Sequence, residues 1–424
     1  MRIWLMTVGE PLPIDGPDER LQRTGILAGM LSEKGHEVLW WASSFDHVRK
    51  THRANQDISV KISANYRLML LRSSGYRRNI SLARLKDHRE HAPRFKELAA
   101  KEPVPDVILC SMPTIDLSRA AVEYACEKNI PIALDIRDMW PEIFVDLAPG
   151  WARSLFRFVL KYYFSDLRWA CSKATAVTSI THQILQWGLG YAGRSGNDLD
   201  RYFPFGYVER KQDTEELQHA ESYWKELRIG TDPKEFIICF FGTIGRQFDL
   251  DTVINAARRL DGGTRPFRFV LCGSGDKLEY YKSLADGLSN VDFPGWVGSS
   301  EIRTLMHLAK FGLAPYHNTK DFCSSLPNKT IEYLSAGLPL VSCLTGVLQD
   351  LIEGNDCGVC YVEGNVESLI EILELAYDNQ ECLVEMSNNA IRLYQECYTA
   401  EKVYSGMITY LETLASGCTD NGSR

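Results

Sequence analysis

The stretch that says most about the fold is Ser324-Ser325-Leu326-Pro327-Asn328-Lys329-Thr330-Ile331-Glu332-Tyr333-Leu334-Ser335-Ala336-Gly337-Leu338-Pro339. Serines come before Pro327, a residue that the first turn of a helix tolerates. Apolar residues then recur at helical spacing, at Ile331, Leu334 and Leu338, and a glycine followed closely by a proline is typical of a helix end. The stretch therefore predicts a short helix that begins near Pro327.

Lys329 and Glu332 lie in the first turn and a half of this predicted helix. A helix entrance carries unpaired N–H groups and partial positive charge, so a lysine there favours an anion such as a phosphate. Because they are three residues apart, the two side chains share a face. The pair suits a nucleotide diphosphate, with the ammonium on the phosphates and the carboxylate accepting from ribose hydroxyls. From residue types alone, an exposed ion pair that caps a surface helix is an equal alternative.

Glycine turns follow two apolar runs upstream of this stretch. Residues 236–241 and 267–272 read as buried strands, and they lead into Gly242-Thr243-Ile244-Gly245-Arg246 and Gly273-Ser274-Gly275. Glycines let backbone N–H groups approach a ligand, and an arginine can fork onto phosphate oxygens. Residues 290–297 read as a strand and turn that end in Trp296 and Val297. These turns predict a second set of ligand groups in the same sheet domain.

The N-terminal half repeats the alternation of strand, loop and helix. Residues 2–8 read as a strand, followed by a loop with Gly9 and Gly16, a helix over residues 21–34 and a further strand. The fold class expected is α/β with two doubly wound domains. We expect an N-terminal domain over residues 1–205, a C-terminal domain over 206–395, a helix over 396–416 that packs back on the first domain, and a disordered tail over 417–424. The loop lacks the three-glycine dinucleotide fingerprint, so no nicotinamide site is expected.

A second candidate site follows the strand at residues 130–135. The loop after it contains Arg137, Asp138, Trp140 and Glu142, and loops at strand tips of parallel sheets often carry function. The alternative is structural: an ion pair of Arg137 and Asp138 with Trp140 packed beneath it.

Two basic segments are candidates for contact with lipid. Residues 67–96 and 151–169 mix arginines and lysines with aromatic and aliphatic residues, a composition typical of interfacial helices. A solvated helix face and an aromatic-rich core helix are the respective alternatives. Residues 1–205 carry a net charge of +5 and the remainder −13, which together give −8. A basic half is consistent with an anionic partner.

The composition is that of an ordinary protein of the reduced cytoplasm. The twelve cysteines are scattered, no signal peptide precedes the first strand, and no apolar run is long enough to span a bilayer. The Asp249-Leu250-Asp251 run has metal-ligand spacing but precedes a helix and reads as a cap. We therefore expect no metal, no cofactor and no nucleic-acid partner.

Taken together, these motifs resemble the retaining glycosyltransferases of family 4, which have the GT-B architecture of two Rossmann-like domains facing a central cleft. The resemblance covers nearly the whole chain, and residues 327–339 are its most specific element. Residues 134–142 resemble the branch that builds bacterial O-antigen and capsule repeats, including N-acetylfucosaminyl transferases. The chain departs from the family where Ser324 replaces the first of two glutamates eight positions apart, and where Arg137 replaces a histidine.

The resemblance implies roles for residues across both halves. The roles nearest the chemistry fall to Asp138, Arg246 and Lys329, and the acceptor-side positions are Arg137, Trp140 and Glu142. Donor-binding positions are Gly9, Gly16, Gly242, Thr243, Gly245, Gly273, Gly275, Trp296, Val297, Ser324, Ser325, Leu326, Asn328 and Glu332.

The activity expected from the resemblance is metal-independent transfer of a hexosyl or N-acetylhexosaminyl group with retention. The donor would be a nucleotide sugar, most commonly UDP-linked in the family, and the acceptor a glycan or a polyprenyl-diphosphate-linked sugar, with a peripheral site on the inner membrane surface. Two alternatives stay open: a GT-B sugar-nucleotide 2-epimerase and a non-catalytic sugar-binding protein.

Overall fold

The chain divides into two compact units in the computed structural model. The structure describes residues 1–16, 19–79, 81–209 and 213–417. Unit 1 contains Met1–Gly206 together with the chain from Ala400 onward, and unit 2 contains Tyr207–Thr399. Residues 418–424 of the expected tail lie outside the described residues.

The elements alternate between strand and helix along the chain. The first half contains β1 (Arg2–Met6), α1 (Arg23–Glu33), β2 (Glu37–Ser43), β3 (Phe45–Asp46), β4 (Thr51–His52), β5 (Ile58–Lys61), β6 (Tyr66–Leu71), α2 (Leu82–Ala99), β7 (Val107–Met112), α3 (Ile115–Lys128), β8 (Ile132–Ile136), α4 (Glu142–Asp146), a 3₁₀ turn (Gly150–Ala152), α5 (Arg153–Val159), α6 (Lys161–Lys173), β9 (Ala176–Ser179), α7 (His182–Ala192) and β10 (Arg201–Tyr202). The second half contains α8 (Thr214–Glu226), β11 (Phe236–Phe241), α9 (Leu250–Leu260), β12 (Phe267–Cys272), α10 (Leu278–Leu284), β13 (Val291–Gly295), α11 (Ser299–Leu308), β14 (Phe311–Ala314), α12 (Lys320–Ser324), α13 (Asn328–Ser335), β15 (Leu340–Ser342), α14 (Val347–Asn355), β16 (Gly358–Cys360), α15 (Val366–Asp378), α16 (Gln380–Leu393), a π-helical turn (Tyr394–Tyr398) and α17 (Ala400–Gly417).

Unit 1 is built on a sheet of order β10-β9-β8-β7-β1-β2-β6-β5, parallel except for β5. Successive side chains of a strand point to opposite faces, and β1 shows this directly. Trp4 and Met6 belong to a core with α2, α3, α6 and α7. Ile3 and Leu5 belong to the other core, which α1 and α17 cover. Helices therefore pack on both faces of this sheet.

Unit 2 has a wholly parallel sheet of order β13-β12-β11-β14-β15-β16. From β11 the chain first builds outward through β12 and β13, then crosses to β14 and builds through β15 and β16. The strand order thus reverses between β11 and β14. In open parallel sheets, ligands bind at the carboxyl ends of the strands beside such a reversal. The prediction of an α/β protein with two doubly wound domains is confirmed.

Both segments expected to be basic interfacial helices are arranged differently. In residues 67–96, the first part pairs as β6 with β2, and the helix starts only after Ser81, whose side chain accepts from the N–H of Arg84; Ile80 lies outside the described residues. Four cations of α2 form ion pairs, namely Lys86, Arg89, Arg94 and Lys96. Residues 151–169 are two helices, because the backbone of buried Leu160 leaves the helical region between α5 and α6.

Candidate functional site

The helix α13 starts where a proline ends the preceding turn. Pro327 has φ −64° and extended ψ, and no side chain in the described part of the chain caps the helix after it. Tyr333 fixes α13 to the sheet: its hydroxyl donates to the carbonyl of Leu313 at 3.2 Å, and its ring covers Gly312, where a Cβ would lie 2.5 Å away. The uncapped entrance therefore lies above the reversal between β11 and β14. Ser324 ends the separate helix α12 rather than opening α13.

Lys329, in the first turn of α13, directs its ammonium group into the unit. Its Nζ atom is buried and has no hydrogen-bond partner among the described residues. Three aromatic rings surround it: Nζ lies 3.6 Å from the ring centre of Phe240, 4.4 Å from that of Phe248 and 5.7 Å from that of Tyr316. Burial lowers the pKa of Lys329 well below its ordinary value, although the negative charge of Glu332 opposes this shift. A buried donor without an acceptor points to a ligand that supplies one.

Glu332 lies one turn further along the same helix. Its side chain is only 6% exposed, and it accepts from the hydroxyl of Tyr207 at 3.3 Å. Since both the Lys329 ammonium and the Glu332 carboxylate are buried, an exposed ion pair on a surface helix does not describe them.

The two glycine turns pack against each other, backbone to backbone. A Cβ at Gly273 would lie 1.8 Å from the carbonyl oxygen of Gly242, and one at Gly275 would lie 2.1 Å from that of Ile244. The N–H of Ile244 donates to the carbonyl of Ser274 at 2.9 Å. Gly242 itself has φ +142°, and a Cβ there would lie 3.0 Å from Lys329 Nζ. Gly273 and Gly275 thus hold the first turn in place, and the first turn borders the ammonium.

The remaining predicted donor residues lie at the edge of this site. The Arg246 side chain is 81% exposed and lies 3.4 Å from Asp276, while Thr243 is exposed and Gly245 buried. Trp296, after β13, is 79% exposed, and Val297 is buried.

Around the entrance of α13, the Ser324 and Ser325 hydroxyls donate to the carbonyls of Lys320 and Phe322. Leu326 is buried and Asn328 exposed. Asp249 caps α9 through the N–H of Thr252.

In unit 1, Arg137 is part of a buried charge network below the strand tips. Its guanidinium donates to Glu10, to Asp135 at 2.9 Å and to the Thr24 hydroxyl at 2.9 Å. Arg23 also donates twice to Asp135. Burial disfavours the Arg137 charge, but the carboxylates of Glu10 and Asp135 outweigh it, so its pKa is raised. The interpretation of an Arg137–Asp138 ion pair is wrong, because Glu10 and Asp135 take the guanidinium.

Trp140 and Glu142 are engaged within unit 1 as well. Trp140 is 7% exposed and stacks on His88, with ring centres 5.4 Å apart. Glu142, the first residue of α4, accepts from Trp187 at 3.0 Å and from Tyr191 at 2.7 Å. These contacts position α4 and the loop before it.

Unit 1 contains a cavity of about 200 Å³ at the carboxyl ends of its central strands. Gly9, Glu10, Arg137 and Asp138 line it, whereas Gly16 is not among its lining residues. Residues that sequence reasoning missed also line it: His47, Tyr76, Arg84, Asp87, His88 and His91. Burial lowers the pKa of His47 to about 4 and that of His88 well below its ordinary value. Neutral imidazoles and carboxylates suit hydroxyl groups as hydrogen-bond partners.

A signal for part of this cavity was present in the sequence. Asp87, His91, Phe95 and Ala99 recur every four residues along α2, and all four are buried. The apolar face of the helix therefore continues as a polar one toward its start, which is where the cavity lies. We call the rings of Phe240, Phe248 and Tyr316 the aromatic cage of Lys329. The sequence held no such signal for this cage, since Phe240 and Phe248 read as ordinary core residues.

Part of the second half of the chain is similar to a known protein family. Residues 225–393 match the model of the family described as glycosyl transferases group 1. This segment is therefore similar to the domains of that family. It includes both glycine turns, α13 and the aromatic cage.

Two curated relatives are similar at low identity. An uncharacterized glycosyltransferase of Haemophilus influenzae is 29% identical over 31% of this chain and 36% of that protein. The O-antigen chain mannosyltransferase C of Escherichia coli is 24% identical over 50% of this chain and 54% of that protein. The aligned part of the chain thus spans about a third and about half of these relatives.

Solved structures match the chain over nearly its full length. Sucrose-phosphate synthase from Thermosynechococcus elongatus has a TM-score of 0.73 at 15% identity, covering 98% of this chain and 99% of that one. The Anabaena protein HepE, in complex with UDP and glucose, has a TM-score of 0.64 at 13% identity, covering 97% and 100%. The chain has the GT-B fold with two Rossmann-like domains, as the resemblance implied.

Proposed function

We propose that the chain is a metal-independent, retaining glycosyltransferase with a nucleotide-diphosphate-sugar donor. The observation that carries this proposal is the buried Lys329 ammonium, which has no acceptor among the residues that the structure describes and borders the Gly242 turn. The diphosphate of a donor supplies the missing acceptor oxygens, and the uncapped entrance of α13 adds backbone donors. The match of residues 225–393 to group 1 glycosyltransferases supports the same site.

The roles of the site residues follow from the charge that develops during transfer. The sugar gains positive charge while the departing diphosphate gains negative charge, so fixed cations and N–H donors on the phosphates lower the barrier. Lys329 is the buried cation of this set, and exposed Arg246 is the mobile one. Glu332 accepts from the ribose hydroxyls. Its substitution by glutamine is expected to weaken UDP binding by roughly tenfold or more, with a smaller effect on 2′,3′-dideoxy-UDP, which lacks those hydroxyls.

We assign the acceptor to the cavity of unit 1, with Asp138 as the residue nearest the reacting hydroxyl. The neutral histidines and Asp87 favour a sugar hydroxyl over a bare phosphate. Asp138→Asn is expected to lower the transfer rate at saturating donor and to leave nucleotide affinity unchanged. A parallel loss of nucleotide affinity would contradict this assignment.

UDP is the proposed carrier, and the acceptor is a glycan or a polyprenyl-diphosphate-linked sugar of a bacterial surface polysaccharide. The Anabaena neighbour was solved in complex with UDP and glucose. The relationship to an O-antigen chain mannosyltransferase supports the polysaccharide assignment. It also makes GDP-mannose a necessary donor in any test.

The test is an assay of the full chain with a panel of UDP-, GDP- and dTDP-sugars, with and without acceptor lipids. We expect one donor to release its nucleoside diphosphate. Conversion of one nucleotide sugar into another without release would identify an epimerase, and binding without turnover would identify a sugar-binding protein. No turnover and no change in Tm with any donor would refute the proposal.

A further inference from the structure

Helix α5 and the residues beside it form an apolar surface that no other described element of unit 1 covers. Within the described residues, α5 has no buried side chain at all. Six large apolar side chains between residues 147 and 162 are each more than half exposed: Leu147 (63%), Trp151 (85%), Leu155 (58%), Phe158 (66%), Val159 (65%) and Tyr162 (67%). We call these six residues the α5 surface. Apolar groups of this size and number in one place mark an interaction site.

The charged residues within the segment 147–165, which contains the α5 surface, have one sign. No acidic residue occurs between Asp146 and Asp166, whereas Arg153, Arg157 and Lys161 fall in this interval. The Lys161 ammonium lies 5.0 Å from the ring centre of Phe158 and 5.3 Å from that of Tyr162. A cation beside exposed aromatic rings is the arrangement by which interfacial segments meet anionic headgroups while their apolar side chains enter the acyl region.

The α5 surface is attached to the residues that support the unit 1 cavity. Arg157 of α5 lies 3.6 Å from Glu142, the first residue of α4. The loop that ends at α4 contains Arg137 and Asp138, which line the cavity. A surface held by α4 therefore has a fixed place relative to the acceptor loop of the same unit.

We propose that the α5 surface docks unit 1 on an anionic lipid bilayer. The helix lies on the membrane without crossing it: in the described parts of the chain, no helix is both long and apolar enough to span a bilayer. The positive charge favours a bilayer over a second copy of the chain, because two like-charged surfaces would repel each other. This inference deepens the proposed function. It rests on that function only where the acceptor is taken to be lipid-linked.

The experiment is vesicle flotation of the full chain with phosphatidylcholine vesicles and with vesicles containing phosphatidylglycerol. We expect binding to the anionic vesicles that weakens with salt. The triple variant Trp151→Ser, Phe158→Ser, Val159→Ser is expected to bind roughly 30-fold or more weakly. The matched control Val48→Ser, Leu82→Ser changes two other exposed apolar residues of unit 1, at 72% and 83% exposure, and should bind like wild type.

A charge series keeps the test valid if the triple variant fails to fold. Arg153→Gln and Lys161→Gln are each expected to weaken binding to anionic vesicles by roughly fivefold. Lys128→Gln and Lys173→Gln, which change exposed lysines elsewhere in unit 1, should not. Equal binding by test and control variants would overturn the proposal, as would self-association of the chain through this surface without vesicle binding. Nucleotide affinity of the same variants, measured without vesicles, separates failure of membrane docking from failure of the proposed activity.

Discussion

Lys329 is the residue on which the donor site depends, and it is unfavourable for the fold. Its ammonium is buried among three aromatic rings without a hydrogen-bond acceptor in the described chain. Cation–π attraction offsets part of the desolvation cost but leaves the N–H donors unsatisfied. A residue that only stabilised the fold would not be retained in this form, whereas a phosphate-binding residue would.

Lys329→Met is therefore expected to stabilise the unliganded protein, by about 1–3 kcal/mol, because a thioether packs well among aromatic rings and has no donor to satisfy. The pKa of Lys329 is lowered in the folded state, and the destabilising charged form predominates at low pH. The free energy of unfolding of the wild type therefore rises as pH increases toward the ordinary lysine pKa. The stabilisation by Lys329→Met should thus be largest at low pH. Urea unfolding at several pH values measures it, with exposed Lys310→Met as control; a destabilised Lys329→Met would contradict the description of the cage.

Nucleotide binding should take up a proton at Lys329. Burial lowers its pKa in the free protein, and a bound diphosphate raises it again. Between these two pKa values, the free protein holds a neutral amine and the complex an ammonium. Affinity should then fall as pH rises, by up to about tenfold per pH unit. Titration calorimetry in buffers of different ionisation enthalpy detects the uptake. Binding heats that do not depend on the buffer, or equal uptake in Lys329→Met, would argue against it.

Arg137 illustrates a residue whose sequence context suggested binding and whose contacts are structural. Arg137→Met leaves the carboxylates of Glu10 and Asp135 buried with fewer partners, and we expect a loss of about 3–5 kcal/mol at neutral pH. Burial favours protonation of Asp135, but Arg23 and Arg137 keep the pKa of its carboxyl lowered. The stability that these ion pairs contribute is therefore lost as pH falls through that pKa. The difference in stability between wild type and Arg137→Met should therefore become smaller in acid. Denaturant unfolding measures the loss, with exposed Arg168→Met as the control. A stable Arg137→Met protein with an altered acceptor KM would instead support a binding role for Arg137.

At the scale of elements, the two glycine turns form one unit. Gly273→Ala places a Cβ on the carbonyl oxygen of Gly242 at a φ of +136°. The Cβ is fixed to its own Cα and the oxygen belongs to the backbone, so neither atom can move cheaply. We expect a loss of more than about 3 kcal/mol. Gly262→Ala, at φ +69° with open space around it, should cost only about 1–2 kcal/mol. Denaturant midpoints of the two variants provide the comparison. Equal costs would show that the turns do not depend on each other.

The sequence predicted those elements whose signals are local. Apolar runs located β11 and β12, and Pro327 with Gly337 located the limits of α13 closely. The break at Leu160 was not predictable, because neither glycine nor proline occurs between Trp151 and Trp169. The possible helix over residues 67–96 forms only from Leu82 onward, since residues 66–71 pair with β2 as the strand β6.

At the scale of the whole molecule, alternation of strands and helices was enough to predict two doubly wound domains. It could not show which side chains meet at the sheet ends. His88 and His91 of the unit 1 cavity lie one turn apart on α2, but His47 precedes His91 by 44 residues, and only the tertiary fold brings it to them. Likewise, Phe240 lies in β11, and Tyr316 lies two residues after the end of the neighbouring strand β14. Together they enclose a lysine of α13.

The most direct test of the donor site is calorimetric titration of the full chain and of Lys329→Met with UDP, GDP, ADP and dTDP. One nucleoside diphosphate should bind wild type at a single site. Since a hydrogen bond to a charged partner contributes about 1.5–3 kcal/mol, its affinity for Lys329→Met should be roughly 10- to 150-fold lower. Lys329→Met should still fold. Equal affinity in the two proteins would contradict the assignment of Lys329 to the diphosphate, and with it the donor site at the entrance of α13.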